Sequence, residues 1–483
     1  MANGSDGSSE EIKGSAMSPL PRSSNSSGLA GPHFASSRTT RSRSVTKPDH
    51  RFLPFSAPDI DDDELAELTE TLRAGWLLSG EKVRQFEREF AKFVGAKHAL
   101  AVNNGTTAFR LSIQSLGLMP GDDVIMSPFA PVVVAELVRM TGATPRFVDV
   151  TERGLHLSPE LLATAITERT RAIVISHVAG LPAEMDELLA IARQHHLTII
   201  EDAGHALTAT YRHDMVGSLG DITCFTFFAQ KAMSLGEGGM ICTNNAELAS
   251  QWRLAMSSPW SLVSATSETA IVSSEANDQT ANTDLATELP VPSPHGTKTR
   301  TAIITKAPVA NAAQFVIQTT DGYQASMNEL TASLGLAQLR RSKGMWQRRR
   351  EIAVTYNAAF SRFVELQCPT DRQDSQHSWH MYLLRLNLQR LRISRHQFLA
   401  EMQARNIGAM INPPPLHMQP LYAELFGYQP ESFPIATQEY SREIALPIYS
   451  RMSDADVQRV IDAVEGIVKR FRAGTTAGLE PGT

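Results

Sequence analysis

The chain has 483 residues and a formal net charge of −6, with 45 Lys and Arg against 51 Asp and Glu. That length allows two domains and a substantial core, and the mild negative charge argues against a nucleic-acid or anionic-membrane role. Its three cysteines, Cys224, Cys242 and Cys368, show neither CxxC nor zinc spacing, and no apolar run approaches the roughly 20 residues of a membrane span.

The extreme N-terminus lacks the apolar core of a signal peptide, so the expectation is a soluble, cytoplasmic protein without structural disulfides or a metal site. Residues 1–52 are rich in Ser, Gly and Pro and become basic toward their end, with Arg38, Arg41, Arg43, Lys47 and Arg51. Such a segment cannot bury enough surface to order itself. Asp6, Glu10 and Glu11 are unusual in a targeting signal, so a disordered tail is expected.

From Pro54 the texture changes. A helix is expected over 60–73, with Asp61, Asp62, Asp63 and Glu64 near its positive end. Strands are then expected at 98–102, 123–126, 146–150, 172–176 and 198–200, separated by helices at 106–116, 132–140, 159–166 and 184–195. This alternation predicts right-handed βαβ units and a largely parallel α/β sheet. Further strands at 224–228 and 240–243 complete it. Residues 257–311, dominated by Ser, Thr, Ala and Asn, read as a low-complexity insertion. Helices follow at 327–341 and 346–363, a strand at 381–388, and helices at 395–404, with Ser394 as N-cap, and 454–471. The expected organisation is a large domain at 53–343, a smaller α+β domain at 344–472 and a tail at 473–483.

Three segments carry chemistry. Val102-Asn103-Asn104-Gly105-Thr106-Thr107 joins a strand to a helix, so free amides, the helix dipole and hydroxyls would meet a phosphate. Alone it is also an ordinary turn and N-cap. Glu201-Asp202-Ala203-Gly204-His205 ends one apolar strand, and Thr226-Phe227-Phe228-Ala229-Gln230-Lys231 follows another. Taken singly, Asp202 is a capping carboxylate, His205 a core histidine, Thr226 a strand residue and Lys231 a surface lysine. Together, at the strand ends where parallel sheets place ligands, they match what pyridoxal phosphate requires: a lysine to hold the aldehyde and a carboxylate to keep the pyridine nitrogen protonated.

The chain resembles the DegT/DnrJ/EryC1/StrS family of pyridoxal-phosphate-dependent aminotransferases. The resemblance runs from Gly75-Trp76-Leu77-Leu78-Ser79-Gly80 and Phe86-Glu87-Arg88-Glu89-Phe90 through the three segments above. It continues with Gly217-Ser218-Leu219-Gly220-Asp221, Gly236-Glu237-Gly238-Gly239, Met327-Asn328-Glu329-Leu330 and Gly335-Leu336-Ala337-Gln338-Leu339. Trp379-His380, Pro414-Pro415-Leu416-His417 and Leu446-Pro447-Ile448-Tyr449 close it.

The resemblance implies the type I aminotransferase fold, a homodimer with shared sites, and small-molecule substrates. These would be an amino-acid donor, glutamate by family habit, and a nucleotide-linked keto sugar or related cyclic ketone. It implies Lys231 as the covalent lysine, Asp202 as partner of the pyridine nitrogen, His205 beside the ring, and Gly105, Thr106, Thr107 and Thr226 around the phosphate. Three positions depart from the family pattern. Pro131 stands where an aromatic residue stacks on the cofactor ring. Gly322-Tyr323-Gln324-Ala325-Ser326-Met327 has Gln324 for an asparagine that reaches the phosphate and Ser326 for an arginine. Ile411-Asn412 replaces His-Tyr. Two other readings stay open: another reaction of the same cofactor, such as elimination or carbon–carbon bond chemistry, and a non-catalytic homologue. A nicotinamide-binding reading fails because no Gly-x-Gly-x-x-Gly follows the first strand.

Overall fold

In a computed structural model, the described residues are 51–256, 324–369 and 372–473, with the backbones of two short paired strands, Leu262–Val263 and Gln314–Phe315. Nearly all of both expected tails, and the 257–311 insertion apart from Leu262–Val263, lie outside the described residues, as do Gly322 and Tyr323.

Seven strands form the main sheet: β1 (His98–Val102), β2 (Asp123–Met126), β3 (Thr144–Phe147), β4 (Thr170–Ser176), β5 (Thr198–Asp202), β6 (Ile222–Thr226) and β7 (Gly239–Thr243). Their order is β1-β7-β6-β5-β4-β2-β3. The pairings from β6 through β3 are parallel, while β7 runs antiparallel to both β1 and β6. Strands covered on both faces read as near-continuous apolar runs, and Ala172 to Ile175 are indeed fully buried.

Alternate residues point to opposite faces. Val102, Val174, Ile200 and Cys224 pack with α3 (Gly105–Ser115), α4 (Val132–Met140) and α7 (Ala246–Ala255). On the other face Ile173, Ile175 and Ile199 meet α5 (Pro159–Ala165) and α6 (Met185–Gln194), and Phe225 and Met240 meet α2 (Glu81–Val94). The α2 helix was not anticipated, although Val83, Phe86, Phe90 and Val94 recur at three- and four-residue spacing and are buried. Each such phenylalanine contributes about 2–3 kcal/mol by leaving water. Ahead of it, α1 (Asp62–Ala74) starts at a capping box between Asp61 and Glu64.

A second core surrounds a three-stranded antiparallel sheet of β8 (Leu366–Gln367), β9 (Tyr382–Leu386) and β10 (Glu443–Leu446). It is covered by α9 (Arg395–Gln403), α12 (Asp454–Phe471) and the end of α8 (Glu329–Phe360). The two helices expected at 327–341 and 346–363 are one helix of 32 residues, α8, and the expected domain boundary at 343/344 falls inside it. Gly344 lies between the two expected helices. A helical glycine costs only about 1 kcal/mol, and burial on both sides of it, from Ala332 to Phe360, outweighs that.

The third strand also differs from the expected 146–150. β3 ends at Phe147, and Asp149 leaves the sheet to accept the Ile435 and Ala436 amides, each at 3.0 Å. It thereby caps α11 (Pro434–Arg442), which follows α10 (Pro420–Phe426).

Candidate active site

The carboxyl ends of β4, β5 and β6 present Ser176, Asp202 and Thr226 in adjacent strands, with Ser176 level with Asp202 and Asp202 level with Cys224. Lys231 lies in the loop between β6 and β7. That loop is closed by the Phe227 amide donating to Gly238 O at 2.9 Å, and the Lys231 amide donates to Phe228 O at 2.9 Å. The Ser234 hydroxyl donates to the carbonyls of Ala229 and Lys231, both at 3.1 Å, while its amide donates to Gln338 Oε1 on α8 at 3.1 Å. The lysine loop is therefore tied to the long helix.

Gly204 measures how closely these groups converge. A Cβ placed on it would lie 3.2 Å from Asp202 Oδ1, 3.5 Å from Thr226 Oγ1 and 3.6 Å from Lys231 Nζ. The Gly204 amide donates to Asp202 Oδ1 at 3.1 Å, which orients the carboxylate. Burial pushes the Lys231 amine down to about 8 against the opposing pull of Asp202. An amine so placed is partly neutral at physiological pH and can attack an aldehyde.

The glycine-threonine loop reaches the same place from β1. Gly105 opens α3, and a Cβ on it would run into the Thr226 hydroxyl. Only glycine lets these two groups meet. Thr106 is exposed on the first turn, where amides ahead of the first intrahelical bond can receive an anion. Thr107 is buried and already committed: its amide donates to Asn104 Oδ1 at 2.9 Å and its hydroxyl to Asn103 Oδ1 at 2.6 Å.

Two further expected residues lie on other elements. Pro131 caps α4 on the loop after β2, two strands from β5 in the sheet order. Gln324 is exposed beside the outer edge of β1, where the Asn103 amide donates to Ala325 O at 2.8 Å and Ser326 bridges Val102. The segment containing Ser326 thus runs antiparallel to β1 of its own chain, next to the phosphate loop.

His205 brings a partner that was not singled out for the site. Its ring centroid lies 4.8 Å from that of His380, with 33° between the planes. Burial, then the charge of Lys231, holds His205 well below the usual imidazole range. His380 is held down by burial first, then by His205, Lys231, Arg349 and His377. Both rings are neutral at pH 7. The pair Trp379-His380 was part of the resemblance, but nothing local in the sequence tells that it folds onto β5. Behind Asp202, the Glu201 carboxylate accepts from Gly220 N and Thr223 Oγ1, both at 2.7 Å, and pairs with His177 Nε2 at 2.9 Å. This buried network holds β5 against β6.

The residues present fit pyridoxal phosphate. A carboxylate, an amine and a hydroxyl surround the side-chain-free Gly204, and a helix N-terminus adjoins them. The Ser176 hydroxyl, level with Asp202, is buried without a hydrogen-bond partner. Orphaned buried polar atoms mark places where a further group belongs.

A mainly parallel α/β sheet with a lysine and an aspartate meeting at its carboxyl edge is the arrangement that a pyridoxal 5′-phosphate enzyme needs. The chain belongs to the DegT/DnrJ/EryC1/StrS aminotransferase family, whose sequence model matches residues 58–271 and 280–465. The spore coat polysaccharide biosynthesis protein SpsC of Bacillus subtilis (strain 168) is 39% identical over 430 residues, which covers 88% of this chain and 99% of SpsC. The crystal structure of the aminotransferase TlmJ from Streptoalloteichus hindustanus superposes with a TM-score of 0.71 at 25% identity, covering 86% of this chain and 99% of TlmJ. Helicobacter pylori PseC, an aminotransferase involved in the biosynthesis of pseudoaminic acid, shares the fold with a TM-score of 0.73 at 24% identity, over 87% of this chain and 100% of PseC.

Proposed function

We propose that this aminotransferase moves an amino group from an amino-acid donor, glutamate, to the keto group of a nucleotide-linked sugar or related cyclic ketone in a biosynthetic pathway. It would work as a homodimer. The observation that carries the reading is the meeting of Asp202 and Lys231 around Gly204, with the lysine's affinity for protons lowered by burial. The name of SpsC, a polysaccharide biosynthesis protein, supports a sugar as acceptor.

When bound, the cofactor supplies a cationic ring that draws electrons from the carbon bearing the amino group. Asp202 keeps a proton on the ring nitrogen, since a carboxylate beside that atom favours its charged form. Lys231 holds the cofactor between turnovers. When not bonded to the cofactor, its amine would take up the proton lost from the donor's α-carbon. Gly105 and Thr106 amides, the Thr106 and Thr226 hydroxyls and the Gln324 amide bind the phosphate, and Thr107 keeps that loop in shape. Pro131 and His205 would lie beside the ring. A neutral His205 adds no positive charge to compete with the protonated ring nitrogen for Asp202.

The test is an absorbance spectrum of the protein with added pyridoxal phosphate, before and after glutamate. A yellow lysine-bound band that bleaches with glutamate, and recovers with a keto-sugar nucleotide, is expected. A band indifferent to glutamate would instead favour another donor or another reaction of this cofactor. Ser326, where the family pattern has arginine, is the observation behind that second reading, because a serine cannot bind a carboxylate bidentately.

A further inference from the structure

Residues 377–380 form a constrained turn between the two cores. Trp379 adopts a left-handed backbone with φ 53°. Its ring stacks on His377 with centroids 4.1 Å apart and planes 4° apart, and its amide donates to His377 Nδ1 at 2.8 Å. The turn docks on Ala179 and Gly180, both left-handed at φ 58° and 95°. There the Ser378 amide donates to Gly180 O at 2.9 Å and the Met381 amide to Ala179 O at 3.2 Å. A Cβ on Gly180 would overlap the Ser378 hydroxyl, so glycine is required at that contact.

The Ser378 hydroxyl is the junction. It donates to the His205 carbonyl at 2.6 Å and accepts from the His380 amide at 3.2 Å. The Ser378 carbonyl accepts from Nε of the buried Arg349 at 3.3 Å. Ser378 is itself fully buried, so it acts only through its neighbours. One oxygen thus ties together the backbones that carry two facing imidazoles, one following β5 and the other preceding β9.

We propose that Ser378 is a positioning residue of the active site, whose hydroxyl sets the separation of the His205 and His380 rings beside Lys231. The inference rests on the reading of Lys231 and His205 as cofactor-contacting residues. Without the hydroxyl, the His205 carbonyl and the His380 amide lose their shared partner inside the protein. The imidazoles can then part, and the surroundings that hold the Lys231 amine loosen with them.

Full-length wild type, S378A and the control I444V are titrated with pyridoxal phosphate by absorbance, and the band of each loaded protein is followed against pH. Ile444 lies in the second core, so I444V lowers thermal stability without touching the turn. The expected result for S378A is about tenfold weaker cofactor binding, the cost of one unpaired buried polar group. Its spectral midpoint should also move by about half a pH unit. I444V should keep both wild-type values. If S378A binds and titrates like wild type, or I444V shifts equally, the positioning role is wrong. If wild type forms no band at all, the assignment of Lys231 fails and this proposal falls with it. Should S378A not fold, S378C, of similar size with a weaker donor, carries the same outcomes.

Discussion

Asp202 and Lys231 approach each other across a residue without a side chain: a Cβ on Gly204 would lie 3.2 Å from the carboxylate and 3.6 Å from the amine. One group ends strand β5 and the other lies in the loop between β6 and β7. The space they border is what a flat aromatic cofactor would fill, with its ring nitrogen at one end and its aldehyde at the other.

Lys231 sits in surroundings that oppose its charge, which bring it to about 8 from its ordinary 10.5. Attack on the aldehyde needs the neutral amine, so the rate of cofactor capture should climb as pH rises through about 8 and then level. Between 8 and 10.5 the folded apoprotein binds fewer protons at this site than the unfolded chain, so its stability rises with pH across that window. K231M cannot show that gain. Its melting temperature should exceed that of the wild-type apoprotein at pH 7, by a margin that shrinks toward pH 10.5, and it should have no transaminase activity. Measurable turnover by K231M would remove Lys231 from the mechanism.

Replacing Asp202 acts differently. D202A should still capture pyridoxal phosphate, because Lys231 and the phosphate loop remain, but turnover should fall by about 100-fold or more as the ring nitrogen loses its charge partner. Pre-steady-state absorbance with glutamate separates the two effects. Near-normal bleaching in this variant would refute the role assigned to Asp202.

G105A tests the contact between the phosphate loop and β6. The added methyl would run into the Thr226 hydroxyl, so either the loop or Thr226 must move. Affinity for pyridoxal phosphate should drop by about tenfold, the loss of one phosphate hydrogen bond. Affinity for pyridoxal, which lacks the phosphate, should hardly change. Equal losses for both ligands would place the damage elsewhere.

The long helix offers a stability prediction in the opposite direction. Gly344 is exposed, and nothing lies within 4 Å of where its Cβ would be. G344A should therefore stabilise the protein by about 0.5–1 kcal/mol through reduced freedom of the unfolded chain. Thermal and urea unfolding check it, and a destabilised variant would mean that the bend or spacing of α8 depends on that glycine.

Most of the main sheet was legible because buried parallel strands and amphipathic helices announce themselves by apolar runs and spacing. The ranges expected for α4 and α12 coincide with those found. Where expectation and structure part, a tertiary contact decided the outcome. Asp149 was expected in a strand, but α11 recruits its carboxylate as a cap. A domain boundary was expected at 343/344, yet packing on either side carries the helix through it.

The same division runs through the site. Asp202, Lys231, Gly105 and Thr226 stand out in the sequence as candidates, because each sits in a short motif whose chemistry depends on residue type and on a nearby strand end. Their convergence on Gly204 is a product of strand order, which no local pattern states. The tie of Thr107 to Asn103 and Asn104 is local, as a turn and N-cap imply, whereas the arrival of His380 and Ser378 beside His205 belonged wholly to the tertiary structure. Those contacts join segments far apart in the chain, through single hydrogen bonds and a ring contact. Such contacts leave no periodicity or composition in the sequence and exist only once both cores have formed.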